Sequence, residues 1–161
     1  MKIVNSLFIS ILFFATNSSC NLTELKPEPE KEQSVSNPFQ KGNKITNANF
    51  TGTAYLLPLI AADSLNKISV GNVSFEPGAR TNWHIHPAGQ IILVLDGIGY
   101  YQEKGTQKRI LRKGDALKCP PNVPHWHGAS IDSSFVQIAI TGREKGEPIW
   151  MEPVSEQEYR K

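Results

Sequence analysis

From Phe50 onward, apolar and polar residues alternate in short runs separated by turn residues, the pattern of half-buried strands rather than helices. Phe50 to Leu57 predicts a strand stopped by Pro58, Lys67 to Phe75 a second ended by Glu76-Pro77-Gly78, and Trp83 to His86 a third. Gln90 to Leu95 is almost wholly apolar, which predicts a strand buried on both faces. Asp96-Gly97 then predicts a hairpin turn into Ile98 to Gln102. After a turn at Lys104-Gly105, Lys108 to Leu111, Ala116 to Cys119, His125 to Ala129 and Phe135 to Ile140 complete the series. Strands this short and this numerous predict an all-β sandwich or barrel. Ser155-Glu156-Gln157-Glu158 has capping-box spacing and predicts one short helix, with Trp150, Met151 and Val154 packing the tail against the barrel.

The first 44 residues carry a different pattern. A basic start at Lys2, an apolar run from Ile3 to Ala15 and a small polar group ending at Cys20 read as a secretory signal over residues 1–20. The Ser-Ser-Cys ending resembles a bacterial lipoprotein signal. It predicts an exported, cell-envelope or periplasmic protein touching the membrane only through a lipid on Cys20. Residues 21–44 are rich in Pro, Glu, Lys, Ser, Gln and Asn, too poor in apolar groups to offset the entropy of ordering, and read as a linker to a domain over 45–161.

A chain of 161 residues suffices for one such domain, and no internal repeat suggests a second. The net charge is +2 with scattered Lys and Arg, so the basic stripe of a nucleic-acid binder is missing. Two cysteines, Cys20 and Cys119, do not make a disulfide framework; Cys119 reads as a small buried apolar group.

All four histidines fall in two pairs, His84 with His86 and His125 with His127. Residues two apart on a strand share a face, so each pair presents two imidazoles to one side, a metal-ligand geometry. Four histidines so placed are hard to explain by packing alone. His127, if its strand continues, faces the same interior as His125, as a general base or as a hydrogen-bonded structural histidine.

Two spaced motifs go further. Gly78, His84, His86, Gln90 and Gly97 form the first; Gly114, Pro120, Asn122 and His125 form the second. Together they closely resemble the paired motifs of the cupin family. The resemblance implies a small jelly-roll antiparallel β-barrel and a divalent metal held by His84, His86, Gln90 and His125. Gln90 stands where most cupins place Glu, and Asn122 where most place Gly. Three imidazoles and an amide leave a divalent charge uncancelled, which predicts a more electrophilic metal than in the Glu-containing relatives. Such donors accept several ions. The resemblance favours Mn, with Fe, Zn or Ni as the other candidates, one ion per chain.

The wording around these motifs (SFEPGARTNWHIHPAGQ, PHWHGA, WMEPVSEQEYR) resembles small bacterial cupins with a Gln ligand, which include manganese-dependent hydroxynitrile lyases and carboxymuconolactone-decarboxylase-like cupins. By that resemblance Arg80 and His127 join the metal in the pocket, Arg80 otherwise reading as a strand-flanking surface cation or ion-pair partner. The lyases carry a Gln where this chain has Thr141. The resemblance implies lyase-type chemistry on a small hydroxy or carbonyl substrate, and small cupins often form homo-oligomers. An Fe-dependent oxygenase and a non-catalytic, metal-stabilised ligand-binding module are the alternatives.

Overall fold

The computed structural model describes residues 37–161. The expected signal segment, Cys20 and most of the expected linker lie outside the described residues. The linker's end belongs to the domain. Asn43–Lys44 forms strand β1 and pairs with Leu56 and Tyr55. Just before it, the Gln40 carbonyl accepts from Asn72 Nδ2 at 3.1 Å. The folded unit therefore starts ahead of the boundary expected at residue 45.

Eleven further strands follow: β2 (Phe50–Thr51), β3 (Ala54–Ile60), β4 (Ile68–Phe75), β5 (Arg80–Thr81), β6 (His84–Ile85), β7 (Gln90–Glu103), β8 (Arg109–Arg112), β9 (Ala116–Cys119), β10 (His125–Ala129), β11 (Phe135–Gly142) and β12 (Ile149–Trp150). Every pairing is antiparallel, in the order β1-β3-β4-β11-β7-β10-β5-β2, with β6, β8, β9 and β12 attached to its sides. The result is a curled all-β barrel with, among the described residues, a single short helix, α1 (Glu156–Arg160).

β7 organises the curl. Its first half pairs with β11 and β9, and its second half with β10 and β8. The hairpin expected at Asp96-Gly97 does not form. Each half of β7 finds better partners in other strands, so the chain runs straight on and changes wall. The register against β11 skips Leu95, which leaves a bulge there. Gly97 takes φ +76°, and a Cβ on it would lie 1.9 Å from the Ser134 carbonyl oxygen, so only glycine serves at this bend. Nor is the run Gln90 to Leu95 buried on both faces. Ile92 and Val94 point into the barrel, whereas Ile91 and Leu93 are 44% and 36% exposed on its outside.

Pro58 does not stop its strand either. β3 extends to Ile60 with a bulge just past Pro58, which pairs with Gly71. On the other side β1 reaches only Tyr55 and Leu56, so the missing N–H of Pro58 falls on an open edge.

The interior is filled by Ala54, Val73, Phe75, Ile92, Val94, Tyr101, Leu111, Leu117, Cys119 and Phe135. A second cluster, Trp83, Trp126, Val154 and Tyr159, lies beneath α1. The helix starts as its sequence requires: Ser155 caps it, with the Glu158 carboxylate accepting back from the Ser155 N–H at 3.0 Å. Val154 is buried and Met151 packs on the same cluster. Trp150 has another role.

Candidate metal centre

The four histidines converge because β6 and β10 pair with His84 directly opposite His125. His127 lies two residues further along β10 and faces the same interior. The turn before β10 places Asn122 at φ +61°, the left-handed conformation that asparagine adopts more readily than any other side chain of its size. Its departure from glycine therefore keeps the turn. The Asn122 N–H donates to the His86 carbonyl at 3.1 Å, and the Gly89 N–H to the same oxygen at 3.0 Å, so the two loops are joined at His86.

Ring centroids lie 4.4 Å apart for His84 and His125, 4.9 Å for His84 and His86, 5.4 Å for His84 and His127, and 5.5 Å for His86 and His125. Ligand nitrogens of His84, His125 and His127 all fall within 4.8 Å of one another. His84 Nδ1 donates to the Asn82 carbonyl and His125 Nδ1 to the Val123 carbonyl, each at 2.9 Å. Those bonds fix the tautomer and leave each Nε2 with a lone pair aimed inward. His125 Nε2, both ring nitrogens of His86 and His127 Nδ1 are buried without a hydrogen-bond partner among the described residues.

Burial is the first cause of a lowered pKa at all four rings, with neighbouring imidazoles adding to it at His84, His86 and His127. His86 is pushed down to about 3, and His84 and His127 well below the ordinary value. All four are therefore neutral at pH 7, the form that ligates metals and accepts protons. Buried, neutral, convergent imidazoles with orphaned nitrogens fit a divalent cation, which would satisfy them at once.

Gln90 opens β7 opposite Cys119 of β9 and Thr141 of β11. Its Nε2 donates to Thr141 Oγ1 at 3.0 Å, and among the described residues its carbonyl oxygen meets only the Cys119 thiol, at 3.9 Å. That weak contact leaves the oxygen its lone pairs. Burial raises the Cys119 pKa to about 12, so this cysteine is an inert packing group.

His84, His86, Gln90 and His127 line a cavity of about 300 Å³ whose remaining wall is largely apolar, from Leu56, Pro58, Ile60, Val70, Val73 and Ala139. His125 lies behind them with Tyr101, ring centroids 5.5 Å apart. Arg80 does not reach the cavity. Its guanidinium turns to the opposite side of β5, donating to the Val154 carbonyl at 3.1 Å and to Glu156 at 2.7 Å, over the Tyr159 ring. The pocket role expected for Arg80 is therefore replaced by a structural one, the attachment of the C-terminal helix.

Three cavity residues escaped the sequence reading of the pocket. Trp150 stacks on His84 with centroids 4.8 Å apart, from a two-residue strand too short to show any period. Thr141 entered only as a departure from the lyases, although the inward alternation Phe135, Gln137, Ala139, Thr141 places it on the cavity side. Arg143 lines the rim, and a basic residue beyond a strand end carries no signal by itself.

The family model described as "Cupin domain" matches residues 71–140. The chain is 39% identical over 113 residues to an (R)-mandelonitrile lyase of Granulicella tundricola, covering 70% of this chain and 86% of that protein. The chain belongs to the cupin family. Among solved structures, a cupin-like protein from Thermotoga maritima is 44% identical, with a TM-score of 0.74, over 78% of this cupin and 96% of that chain. A cupin 2 conserved barrel domain protein from Rhodopseudomonas palustris shares only the fold, at 15% identity and a TM-score of 0.58, over 67% of this chain and 74% of that one. This cupin is thus a small single-domain barrel whose histidine cluster suits a metal.

Proposed function

We propose that this cupin is a metal-dependent lyase that cleaves or forms a bond beside the oxygen-bearing carbon of a small hydroxy or carbonyl compound. The observation that carries the reading is the set of four buried neutral imidazoles, three lining an apolar cavity and His125 behind them, one more than the ligand set needs. The relation to a mandelonitrile lyase supports the reaction class. By the family motif His84, His86, Gln90 and His125 would hold the ion, with Mn first and Fe, Zn or Ni as substitutes. Such an ion supplies Lewis acidity, lowering the pKa of a hydroxyl placed against it.

The chain's own residues do the rest. His127 is neutral and takes the hydroxyl proton on an imidazole nitrogen, so the C–O bond becomes C=O as the bond to the departing carbanion or cyanide breaks. The imidazolium is disfavoured by burial and by His125 and His86, so it returns the proton readily to the departing anion. The apolar wall holds the substrate's carbon skeleton and excludes water.

The His127→Ala variant tests the base. With metal content held full by elemental analysis, cleavage of the best cyanohydrin or related substrate should fall about 10²- to 10⁴-fold. Unchanged turnover removes His127 from the reaction. We also place the activity at the cell envelope, on the segment ending at Cys20. Fatty-acid labelling of the full chain, lost in Cys20→Ala, checks that.

A further inference from the structure

We propose that Arg143 is the anion-binding pole of the cavity and that the substrate is a small hydroxy or oxo carboxylate with an apolar arm. The inference rests on the reading of the cavity as a substrate site and narrows what enters it. Arg143 is the only charged side chain among the described residues lining the cavity. No Asp or Glu shares that lining, and the amide of Gln90 replaces the carboxylate that would have balanced the field. A lining with one guanidinium, neutral donors and a cation site carries no carboxylate of its own, and the Glu147 carboxylate that pairs with Arg143 lies outside it, largely in water. The missing negative charge then comes with the ligand.

The guanidinium is held for such a ligand. Arg143 follows β11 directly, with its backbone N–H donating to the Lys67 carbonyl at 2.7 Å. Its Nε donates to Ser69 Oγ at 2.9 Å, and Nη1 pairs with Glu147. Nη2 has no partner among the described residues. The Glu147 side chain is 81% exposed whereas that of Arg143 is 24% exposed, so the ion pair lies in water on the carboxylate's side and is readily exchanged. A carboxylate bound at Nη1 and Nη2 would gain charge-assisted bonds, displacing Glu147 to solvent. In the same lining, Leu56, Pro58, Ile60 and Val70 offer the substrate's arm an apolar wall. A neutral cyanohydrin uses that wall but brings Arg143 no charge to pair with.

Calorimetric titration with mandelate and with the neutral, near-isosteric mandelamide tests the proposal, on protein loaded with Mn and after chelation. In the wild type mandelate should bind at least about tenfold more tightly. Arg143→Gln should cost mandelate about 10- to 100-fold and mandelamide less than about twofold, whereas Glu147→Gln, which removes the competing carboxylate, should strengthen mandelate a few-fold. A folded Arg143→Gln that keeps its mandelate affinity overturns the proposal. If that variant does not fold, an unchanged mandelate affinity in Glu147→Gln overturns it. An Arg143-dependent preference in a protein that holds no metal and turns over no hydroxy or carbonyl compound leaves the anion pole standing and removes the lyase reading instead.

Discussion

Thr141 shows how much one hydroxyl can decide. An amide ligand must present oxygen rather than nitrogen, and Thr141 Oγ1 accepts from Gln90 Nε2, which turns the carbonyl away from β11. Replacing Thr141 by Val keeps shape and burial but removes the acceptor. Partners that orient ligands typically contribute 10- to 100-fold in metal affinity. Chelator competition on Thr141→Val should therefore show metal binding weakened by about that factor, alongside a loss of about 1–3 kcal/mol in unfolding from the stranded Gln90 N–H; full affinity would mean that Gln90 is held otherwise. The paired histidines were legible in the sequence because a strand's period of two is strict. Arg80 was given its pocket role by resemblance alone, and strand parity could not have checked it, because parity does not survive a bend. Thr81 faces the cavity, and the chain breaks at Asn82-Trp83 between β5 and β6 before His84 faces it again. The even spacing between Arg80 and His84 therefore does not put them on one face.

Among the elements, α1 is too short to be stable alone and is held by what lies under it. The Tyr159 hydroxyl donates to the Ala129 carbonyl at 2.8 Å, and the ring covers the Arg80 guanidinium at 4.2 Å. Arg80 is 3% exposed and links β5 to Gly78, Val154 and Glu156. Arg80→Met fills part of the volume but strands the Val154 carbonyl, so it should cost about 1–3 kcal/mol in urea unfolding. Because the guanidinium is turned from the cavity, kcat and KM of the fully folded variant should match the wild type. A selective loss of kcat would restore the pocket role. The strand ends Ala116, Cys119, His125 and Ala129 were legible to the residue, since turn chemistry brackets them. The continuity of β7 was not. Asp-Gly is the same dipeptide whether it closes a hairpin or bends one long strand, and only the distant partners β10 and β11 choose between them.

For the molecule as a whole, the cupin barrel buries four imidazoles around one point, and that has a cost that depends on pH. Each ring titrates near 6.5 when unfolded and lower when folded, His86 at about 3. Between those values the unfolded chain binds more protons, so acid favours unfolding. Stability of the metal-free protein should be level above about pH 7 and fall as the pH drops below 6.5, each ring adding up to about 1.4 kcal/mol per pH unit. Bound metal should deepen the fall, since protons compete for its ligands. Urea midpoints from pH 8 to pH 4.5, with and without chelator, measure both slopes. In the metal-free His86→Asn variant the slope should flatten by one ring's share, because a neutral amide has no proton to take up. A metal-free protein equally stable at pH 7.5 and pH 5 would mean that the cluster opens to water without unfolding, and the barrel would then not be the rigid frame that a fixed ligand set requires.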